Sequence, residues 1–212
     1  MIETAHGPLR LPAYFPDATR AVVRSVDSRD LEACGVQGVV VNAFHLSAHP
    51  GAGLLKRAGG VHAFMGWHHP VASDSGGFQL MSMIRENPRY GTVSARGIHF
   101  VDADGTRERT LFTPERSIRL QFDLGADLAV VIASAPEGHD KPYKYPGMFA
   151  AADVVLLNKA DVAPVFDFDL DFFRRGVQMV NPDAPLFVVS CKSGAGMDDW
   201  VAWLVARLTL TR

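Results

Sequence analysis

A short apolar run that ends in an acid, a hydroxyl and two glycines constrains the fold of this chain more than any other stretch. The stretch is Val71-Ala72-Ser73-Asp74-Ser75-Gly76-Gly77-Phe78. The pattern predicts a strand whose last side chain, Asp74, lies at the rim of a sheet. The glycines allow a tight turn and the close approach of a flat ligand, which could stack on the ring of Phe78. Alternatively, Asp74 or Ser75 caps a helix that begins near Gly76, and the spacing alone favours neither interpretation.

Residues 1–133 alternate predicted strands with predicted helices. Buried strands are predicted at 36–41, 70–74 and 127–133, and helices at 25–34, 52–58 and 113–124. The short connections between them predict parallel βα units, in which functional groups lie at the carboxyl ends of the strands. Asn42 and Asp74 follow two of these strands, so the amide of Asn42 is expected to reach the neighbouring strand end.

Other elements are predicted around these units. Hairpins are predicted within 2–15, around Gly7-Pro8, and within 98–112, around Asp104-Gly105. Residues 85–96 are predicted to form a loop. Later in the chain the pattern predicts strands at 154–157 and 186–189 and helices at 172–180 and 197–208, the last with an apolar stripe that packs as core.

The composition excludes strongly charged and membrane-spanning classes. The net charge of −2 gives no overall attraction to nucleic acid. No apolar run is long enough to span a bilayer, and the first residues lack the basic and apolar form of a signal peptide, so a cytoplasmic protein is predicted. Cys34 and Cys191 are expected to be buried free thiols, and two cysteines cannot form a cysteine-rich zinc site.

The residues around Asp74 resemble the signature of the tRNA-guanine transglycosylases, the queuine tRNA-ribosyltransferase family. The matching blocks lie within residues 1 to about 130 and are 59–67, Asp74-Ser75-Gly76-Gly77-Phe78-Gln79, Asn42-Ala43-Phe44-His45-Leu46 and Thr113-Pro114-Glu115-Arg116-Ser117-Ile118. The resemblance implies a (β/α)₈ barrel, of which only the first units would be present. It also implies base exchange in tRNA, the chemistry of queuosine-type or archaeosine-type modification.

The same resemblance implies roles for individual residues. Asp74 would be the general acid/base, positioned by Asn42. The other base-binding residues would be Ser75, Gly76, Gly77 and Phe78. A complete transglycosylase also uses a nucleophilic aspartate, which becomes covalently ribosylated, and a Cys/His zinc site. Neither has a counterpart in these residues, so no metal site is predicted and base exchange by the chain alone is not expected.

A second set of motifs begins near residue 134. It includes Pro136-Glu137-Gly138-His139-Asp140-Lys141-Pro142, Asn158-Lys159-Ala160-Asp161 and a block near Ser190, and it extends to about residue 205. These motifs are similar to the C-terminal half of the GTPase that delivers nickel to hydrogenase or urease. A guanine nucleotide is therefore a candidate ligand. The sequence has no Gly-x-x-x-x-Gly-Lys-Ser/Thr phosphate loop, however, and so lacks the residues that would hold the phosphates of GTP and Mg²⁺.

Polar residues after the two later strands predict a site for guanine. The candidate guanine-binding residues are Asn158, Lys159, Asp161, Ser190, Cys191 and Lys192. A carboxylate at Asp161 can accept both N1–H and N2–H of guanine, a contact that adenine cannot make. The resemblance implies that Asn158 holds the purine edge, that the stem of Lys159 packs over the ring and that the Cys191 amide contacts O6.

The predicted fold class is therefore α/β, with two joined fragments. Residues 1–131 would form partial (β/α) barrel units, and 132–212 the C-terminal βα units of a P-loop-type GTPase domain that lacks its P-loop. The two fragments are predicted to share one open parallel sheet, or to form two poorly packed lobes. The predicted function is an inactive transglycosylase-like fusion with a guanine-recognising remnant. One alternative is a guanine-nucleotide-binding accessory protein for hydrogenase or urease maturation. The others are a binding module and an accidental fusion that has no selected function.

Overall fold

The structure is a computed structural model that describes residues 1–94, 96–101 and 109–210. Its contacts divide the chain into two compact units, Met1–Asp127 and Leu128–Arg212. We call them unit 1 and unit 2. Their extents are close to those of the two predicted fragments. That the two fragments come from different proteins stays a prediction. Among the described residues, no helix is both long enough and apolar enough to cross a membrane.

Unit 1 mixes short strands with short helices. Its strands are β1 (Ile2–Thr4), β2 (Gly7–Leu9), β3 (Val39–Asn42), β4 (Val71–Asp74), β5 (Gly91–Ser94), β6 (Gly97–Val101) and β7 (Arg109–Phe112). Its helices are α1 (Ser28–Ala33), α2 (Ala43–Leu46), α3 (Ala52–Arg57), α4 (Val61–Met65), α5 (Gly77–Glu86) and α6 (Pro114–Asp123). A kinked segment, Ser47–Gly51, joins α2 to α3, and the backbone of His49 within it is extended.

The predicted helix caps are confirmed at α1 and α6. The Asp27 carboxylate accepts a hydrogen bond from the Asp30 amide at 2.9 Å, and the Thr113 hydroxyl accepts one from the Arg116 amide at 3.1 Å. Each side chain satisfies an amide that the first turn of a helix leaves without a partner. Pro114 occupies the first helical position, where its missing N–H costs nothing.

Three sheets form in unit 1. β3 and β4 are parallel, β1 and β2 form an antiparallel hairpin, and β5, β6 and β7 form an antiparallel sheet. The loop predicted at 85–96 is wrong, because α5 continues to Glu86 and β5 pairs with β6 from Gly91. Pairing with a neighbouring strand overrides the weak strand preference of this polar stretch. The predicted turn at Asp104-Gly105 lies outside the described residues, although β6 and β7 do pair antiparallel.

The turn of the first hairpin is displaced from its predicted position. Gly7 and Pro8 lie within β2, and residues 5–6 make the turn. The side chain of Thr4 stabilises this turn, since its hydroxyl donates to the Gly7 carbonyl at 2.7 Å. Pro8 is tolerated because it lies in a two-stranded ribbon, where one side of each strand needs no ladder hydrogen bond.

A single apolar cluster holds unit 1 together. Its fully buried members include Trp67, Leu46, Leu55, Leu80, Val39 and Val41. They come from β3, from α2, α3 and α5, and from the segment before β4. β3 therefore lies inside the cluster, and the strand end that carries Asn42 is fixed by apolar packing.

Unit 2 contains a parallel three-stranded sheet. Its strands are β8 (Val130–Ser134), β9 (Val154–Asn158) and β10 (Leu186–Val188), in the order β10-β9-β8. Its helices are α7 (Lys141–Lys144), α8 (Pro146–Ala150), α9 (Leu170–Val180) and α10 (Met197–Leu210). β9 is central and buried on both faces, as its continuous apolar run predicts.

The prediction of one shared sheet is wrong for the described residues. β3 pairs with β4 on one side, and residues 16–18 occupy its other side. There Ala18 donates to the Val40 carbonyl at 2.7 Å, and Val40 donates to the Pro16 carbonyl at 3.0 Å. Among the described residues the sheets of unit 1 and the sheet of unit 2 are thus separate, and each unit has its own apolar cluster.

Edge strand β8 carries apolar side chains on its exposed face. Val131 and Ala133 point into the core of unit 2, whereas Val130 is half-exposed and Ile132 is 65% exposed. In the part of the chain that the structure describes, β8 pairs with β9 alone. Its other edge presents backbone groups that make no ladder hydrogen bonds.

The segment around Pro142 is packed, although its turn-rich composition predicts easy cleavage. Pro142 is buried, and the Tyr143 ring lies 4.5 Å from the Phe172 ring on α9. The Asp169 amide donates to Nδ1 of His139 at 3.1 Å. Gly176 has no side chain at the point where the Tyr143 ring meets α9, so the segment is part of the body of unit 2.

Two further expectations are corrected. Cys34 and Cys191 are both exposed and free, because each follows the end of its helix or strand in a polar turn. α10 packs against the sheet as predicted, since Trp200 and Trp203 lie 5.8 and 5.9 Å from Phe187 of β10 between ring centres. The side chains described in α10 are half-buried or exposed, so the stripe is less buried than a core stripe.

Candidate functional site

Two strand ends in unit 1 bring an amide and a carboxylate together. Asn42 and Asp74 are paired residues of the parallel strands β3 and β4. The Asn42 Nδ2 group donates to Oδ2 of Asp74 at 3.2 Å, as the sequence predicts. Oδ1 of Asn42 accepts from the His45 amide at 3.2 Å and caps α2. Since Asn42 is only 5% exposed, its amide has one orientation, and it fixes one oxygen of Asp74.

The turn after β4 can be made only by glycine. Gly76 has a φ of +79°, in the left-handed region. A Cβ atom there would collide with the Cβ of Phe44 and lie 2.8 Å from Oδ1 of Asn42. Gly76 is the N-cap of α5 and no side chain caps this helix. The alternative that Asp74 or Ser75 caps α5 is therefore wrong. The N-cap is Gly76, and the Asp74 carboxylate accepts from Asn42 instead.

An exposed aromatic side chain lies at the start of α5. Phe78, in the first turn of the helix, is 79% exposed. Gly77 before it leaves open space, since a Cβ atom at this position would come no nearer than 3.7 Å to Oγ of Ser75, its nearest neighbour. Ser75 is exposed, and its hydroxyl accepts from the Gly77 amide at 3.4 Å. These residues lie together at one strand-to-helix turn, next to Asp74.

Four further residues lie at this place, and the sequence patterns assign no role to any of them. Ser73 Oγ and Gln79 Oε1 are buried and have no hydrogen-bond partner among the described residues. The hydroxyl of Ser117, on α6, donates to the Ser75 carbonyl at 3.1 Å. His45 follows Asn42, and burial and the nearby Arg20 lower its pKa. Ser73 and Gln79 flank the Asp74 turn in sequence, but the contact of Ser117 depends on tertiary packing and has no sequence signal.

A second group of strand ends forms a site in unit 2. The Ser190 hydroxyl, after β10, donates to Oδ1 of Asp161 at 2.6 Å. The Cys191 amide donates to Oδ1 of Asn158 at 3.3 Å, and the Lys159 amide donates to the same oxygen at 2.7 Å. The two loops predicted to share a ligand are thus bonded to each other through side chains.

The loops of unit 2 surround a cavity of about 340 Å³. Its lining residues are Asn158, Lys159, Asp161, Val162, Cys191 and Lys192. Five of the six residues predicted for guanine therefore line one cavity. The sixth, Ser190, is 1% exposed, and its hydroxyl donates to the Asp161 carboxylate. The hydrogen bond from Ser190 is the main cause that lowers the pKa of Asp161, so its carboxylate is ionised and accepting at neutral pH.

The described residues hold no cluster that fits the zinc ion implied for complete transglycosylases. In residues 1–94, 96–101 and 109–210 there is no group of three or more His, Cys, Asp or Glu side chains close enough to bind a metal. The donor set therefore does not fit zinc, and no chemical step in this part of the protein is assigned to it.

A solved structure similar to the C-terminal part of the chain is that of the hydrogenase maturation factor HypB from Archaeoglobus fulgidus. The similarity covers 41% of this chain and 42% of that chain, at 31% sequence identity and a TM-score of 0.39. A TM-score at this level does not establish a common fold, and we draw no functional argument from it.

The N-terminal part matches a family of tRNA-modifying proteins. The model of the queuine tRNA-ribosyltransferase family matches residues 1–146, beyond the end near residue 130 that the motifs predict. The queuine tRNA-ribosyltransferase of Prochlorococcus marinus (strain MIT 9515) is 36% identical over 137 residues, which are 64% of this chain and 35% of that protein. That of Oleidesulfovibrio alaskensis is 37% identical over 145 residues, 68% of this chain and 37% of that protein.

This chain thus spans little more than a third of the length of these curated relatives. The family match nevertheless covers the Asn42–Asp74 pair, the Gly76 turn and Ser117, and it extends over well above half of the chain. This chain belongs to the queuine tRNA-ribosyltransferase family.

Proposed function

We propose that unit 1 binds a guanine-type base at Asp74 and that its partner is a tRNA that carries such a base. The observation that supports this most directly is the 3.2 Å hydrogen bond from Asn42 Nδ2 to Asp74 Oδ2 at two adjacent strand ends. It fixes one carboxylate oxygen and leaves the other to exchange a proton with a ligand. The relatives of this chain are named as tRNA-ribosyltransferases of queuine.

Each residue of the turn has a role in this proposal. Asp74 is the general acid/base, which takes a proton from an incoming base or gives one to a departing base. Phe78 stacks on the flat face of the base. Gly76 and Gly77 let the base approach the backbone, since neither carries a Cβ atom. Asn42 keeps Asp74 in one orientation and Ser75 borders the same turn.

We further propose that these 212 residues do not exchange bases by themselves. General acid/base help contributes roughly 10²–10⁴-fold, and it cannot replace the covalent step that a nucleophile provides. In this proposal no residue of unit 1 supplies that nucleophile. On this view the chain is a transglycosylase-like binding unit joined to a second guanine-binding unit.

Guanine binding by unit 1 can be measured by calorimetry in four proteins, each carrying Asp161→Asn so that the cavity of unit 2 does not contribute. We expect Phe78→Ala to weaken guanine binding about 10-fold, because stacking on one base typically contributes about 1–3 kcal/mol. Asp74→Asn should weaken it by at least as much, since an amide has one accepting oxygen where the carboxylate has two. Phe122→Ala is the matched control, because Phe122 is also an exposed phenylalanine, on α6. Equal losses in the Phe78 and Phe122 variants would count against the site.

Base exchange is tested with the same protein, tRNA and labelled guanine. We expect no label in the tRNA, with a full-length relative as the positive control. Incorporation that disappears in Asp74→Ala would show that a nucleophile is present and would overturn the proposed inactivity. It would leave the proposed base site intact.

We propose a second function for unit 2, the recognition of a guanine base by Asp161. Its support is the pair of hydrogen bonds that joins the two loops, Ser190 to Asp161 and Cys191 to Asn158. They leave the second oxygen of Asp161, the remaining lone pair of its first oxygen and the cavity between the loops for a ligand. The sequence has no phosphate loop, so guanosine and GTP with Mg²⁺ are expected to bind equally well. Much tighter binding of GTP would contradict this, and nickel delivery stays a sequence-based alternative.

A further inference from the structure

The buried polar side chains of this protein lie next to its candidate sites. In the part of the chain that the structure describes, the buried polar residues are Asn42, Ser117 and Ser190. Asn42 donates to Asp74, and Ser190 donates to Asp161. Burying an amide or a hydroxyl costs free energy unless it forms a hydrogen bond. Two of these three side chains thus hold the carboxylate of a candidate site. The question is whether the hydrogen bond of Ser117 also serves such a site.

Ser117 reaches from α6 to the turn that carries Asp74. Its side chain is buried, and Ser117 is 4% exposed. Its backbone amide donates to the Thr113 carbonyl within the helix at 3.0 Å. Its hydroxyl donates instead to the Ser75 carbonyl at 3.1 Å, across 42 residues of sequence. This bond joins α6 to the residue between Asp74 and Gly76.

Two sets of contacts fix the conformation of the turn between Asp74 and α5. Phe44 and Asn42 pack against Gly76 so closely that no side chain fits there. The bond from Ser117 holds the preceding carbonyl, that of Ser75. Without it the carbonyl loses its partner and the turn can adopt other conformations, which the ligand must then exclude on binding.

We propose that Ser117 is a positioning residue of the base site, whose hydroxyl fixes the turn from which Asp74 and Phe78 project. This inference rests on the proposed function of unit 1. Ser117 touches neither the base nor a reacting atom in this scheme. It acts through Ser75 and sets how well the carboxylate and the aromatic ring are aligned before a base arrives.

The test compares Ser117→Ala and Ser117→Thr with a matched control, Ser28→Ala. Ser28 also donates to a distant carbonyl in unit 1, that of Met65 at 2.8 Å, and so joins α1 to α4. Guanine affinity is measured by calorimetry, and amide exchange of Leu80, which donates to the Gly76 carbonyl, by NMR. Thermal unfolding gives the stability of each variant.

We expect Ser117→Ala to weaken guanine binding about fivefold, the usual size of one hydrogen bond, and to accelerate exchange of the Leu80 amide. Ser117→Thr keeps the hydroxyl and should restore both. Ser28→Ala should lower the unfolding temperature but leave guanine affinity within about twofold.

Wild-type affinity and exchange in Ser117→Ala would overturn the role of Ser117, and so would an equal loss of affinity in Ser28→Ala. Because unit 2 is also proposed to bind guanine, all titrations are made in an Asp161→Asn background, which removes that second site. If this parent protein binds no guanine, the proposed function of unit 1 is overturned, and this role with it. The titration of the parent protein therefore separates the two failures.

Discussion

Replacing Gly76 by alanine is expected to abolish guanine binding by unit 1 and to lower the free energy of unfolding by about 2–4 kcal/mol. Two costs add at this position. An alanine with a φ of +79° is strained, and its Cβ would collide with Phe44 and press on the Asn42 oxygen. Asn42 would have to move, and with it the amide that holds Asp74. Chemical denaturation and calorimetry with guanine measure the two effects.

Gly77→Ala is the matched control for the stability part of this prediction, since Gly77 itself borders the proposed base site. A Cβ atom on Gly77 meets nothing nearer than Ser75 Oγ at 3.7 Å, and alanine favours the helix that begins there. We expect stability to change by no more than about 1 kcal/mol. If Gly76→Ala proved as mild as Gly77→Ala, the close packing of the turn against α2 would be wrong.

The second large effect is expected from Asp161→Asn in unit 2, which should lose guanosine affinity by about 100-fold or more. The carboxylate accepts both N1–H and N2–H of guanine, whereas an amide presents one donor toward an amino group that is itself a donor. Xanthosine carries a carbonyl in place of that amino group. The variant is therefore expected to bind xanthosine better than guanosine, and the wild-type chain to show the opposite order.

Asp167→Asn is the control for this exchange of specificity. Asp167 ends the same 3₁₀ segment as Asp161, Ala160–Phe166, but does not line the cavity. Its replacement should leave both affinities unchanged. A loss of guanosine without any gain of xanthosine in Asp161→Asn would indicate that the loop has been disturbed, and would count against direct base recognition by Asp161.

Strand ends could be predicted from the sequence because their pattern is local. Asn42 and Asp74 each follow a short β-branched or apolar run, and parallel pairing then places them side by side. Asp161 and Ser190 follow the same rule in unit 2, and the structure joins them by a hydrogen bond. The polar residues closest to the proposed chemistry can therefore be identified from the sequence.

Contacts between elements far apart in sequence could not be predicted in this way. Nothing in the helical pattern around Ser117 indicates that its hydroxyl reaches Ser75. β5 forms in a polar stretch only because β6 pairs with it. The segment around Pro142 has the composition of a loop, yet Tyr143 packs on α9. In each case tertiary packing decides the outcome over local preference.

The unpaired edge of β8 has a practical consequence for work with this protein. Val130 and Ile132 face outward on a strand that pairs with one neighbour in the described residues. Exposed apolar strand edges promote association between copies as protein concentration rises. Ligand titrations are therefore best made in dilute solution, and Ile132→Lys offers a background that associates less and leaves both candidate sites untouched.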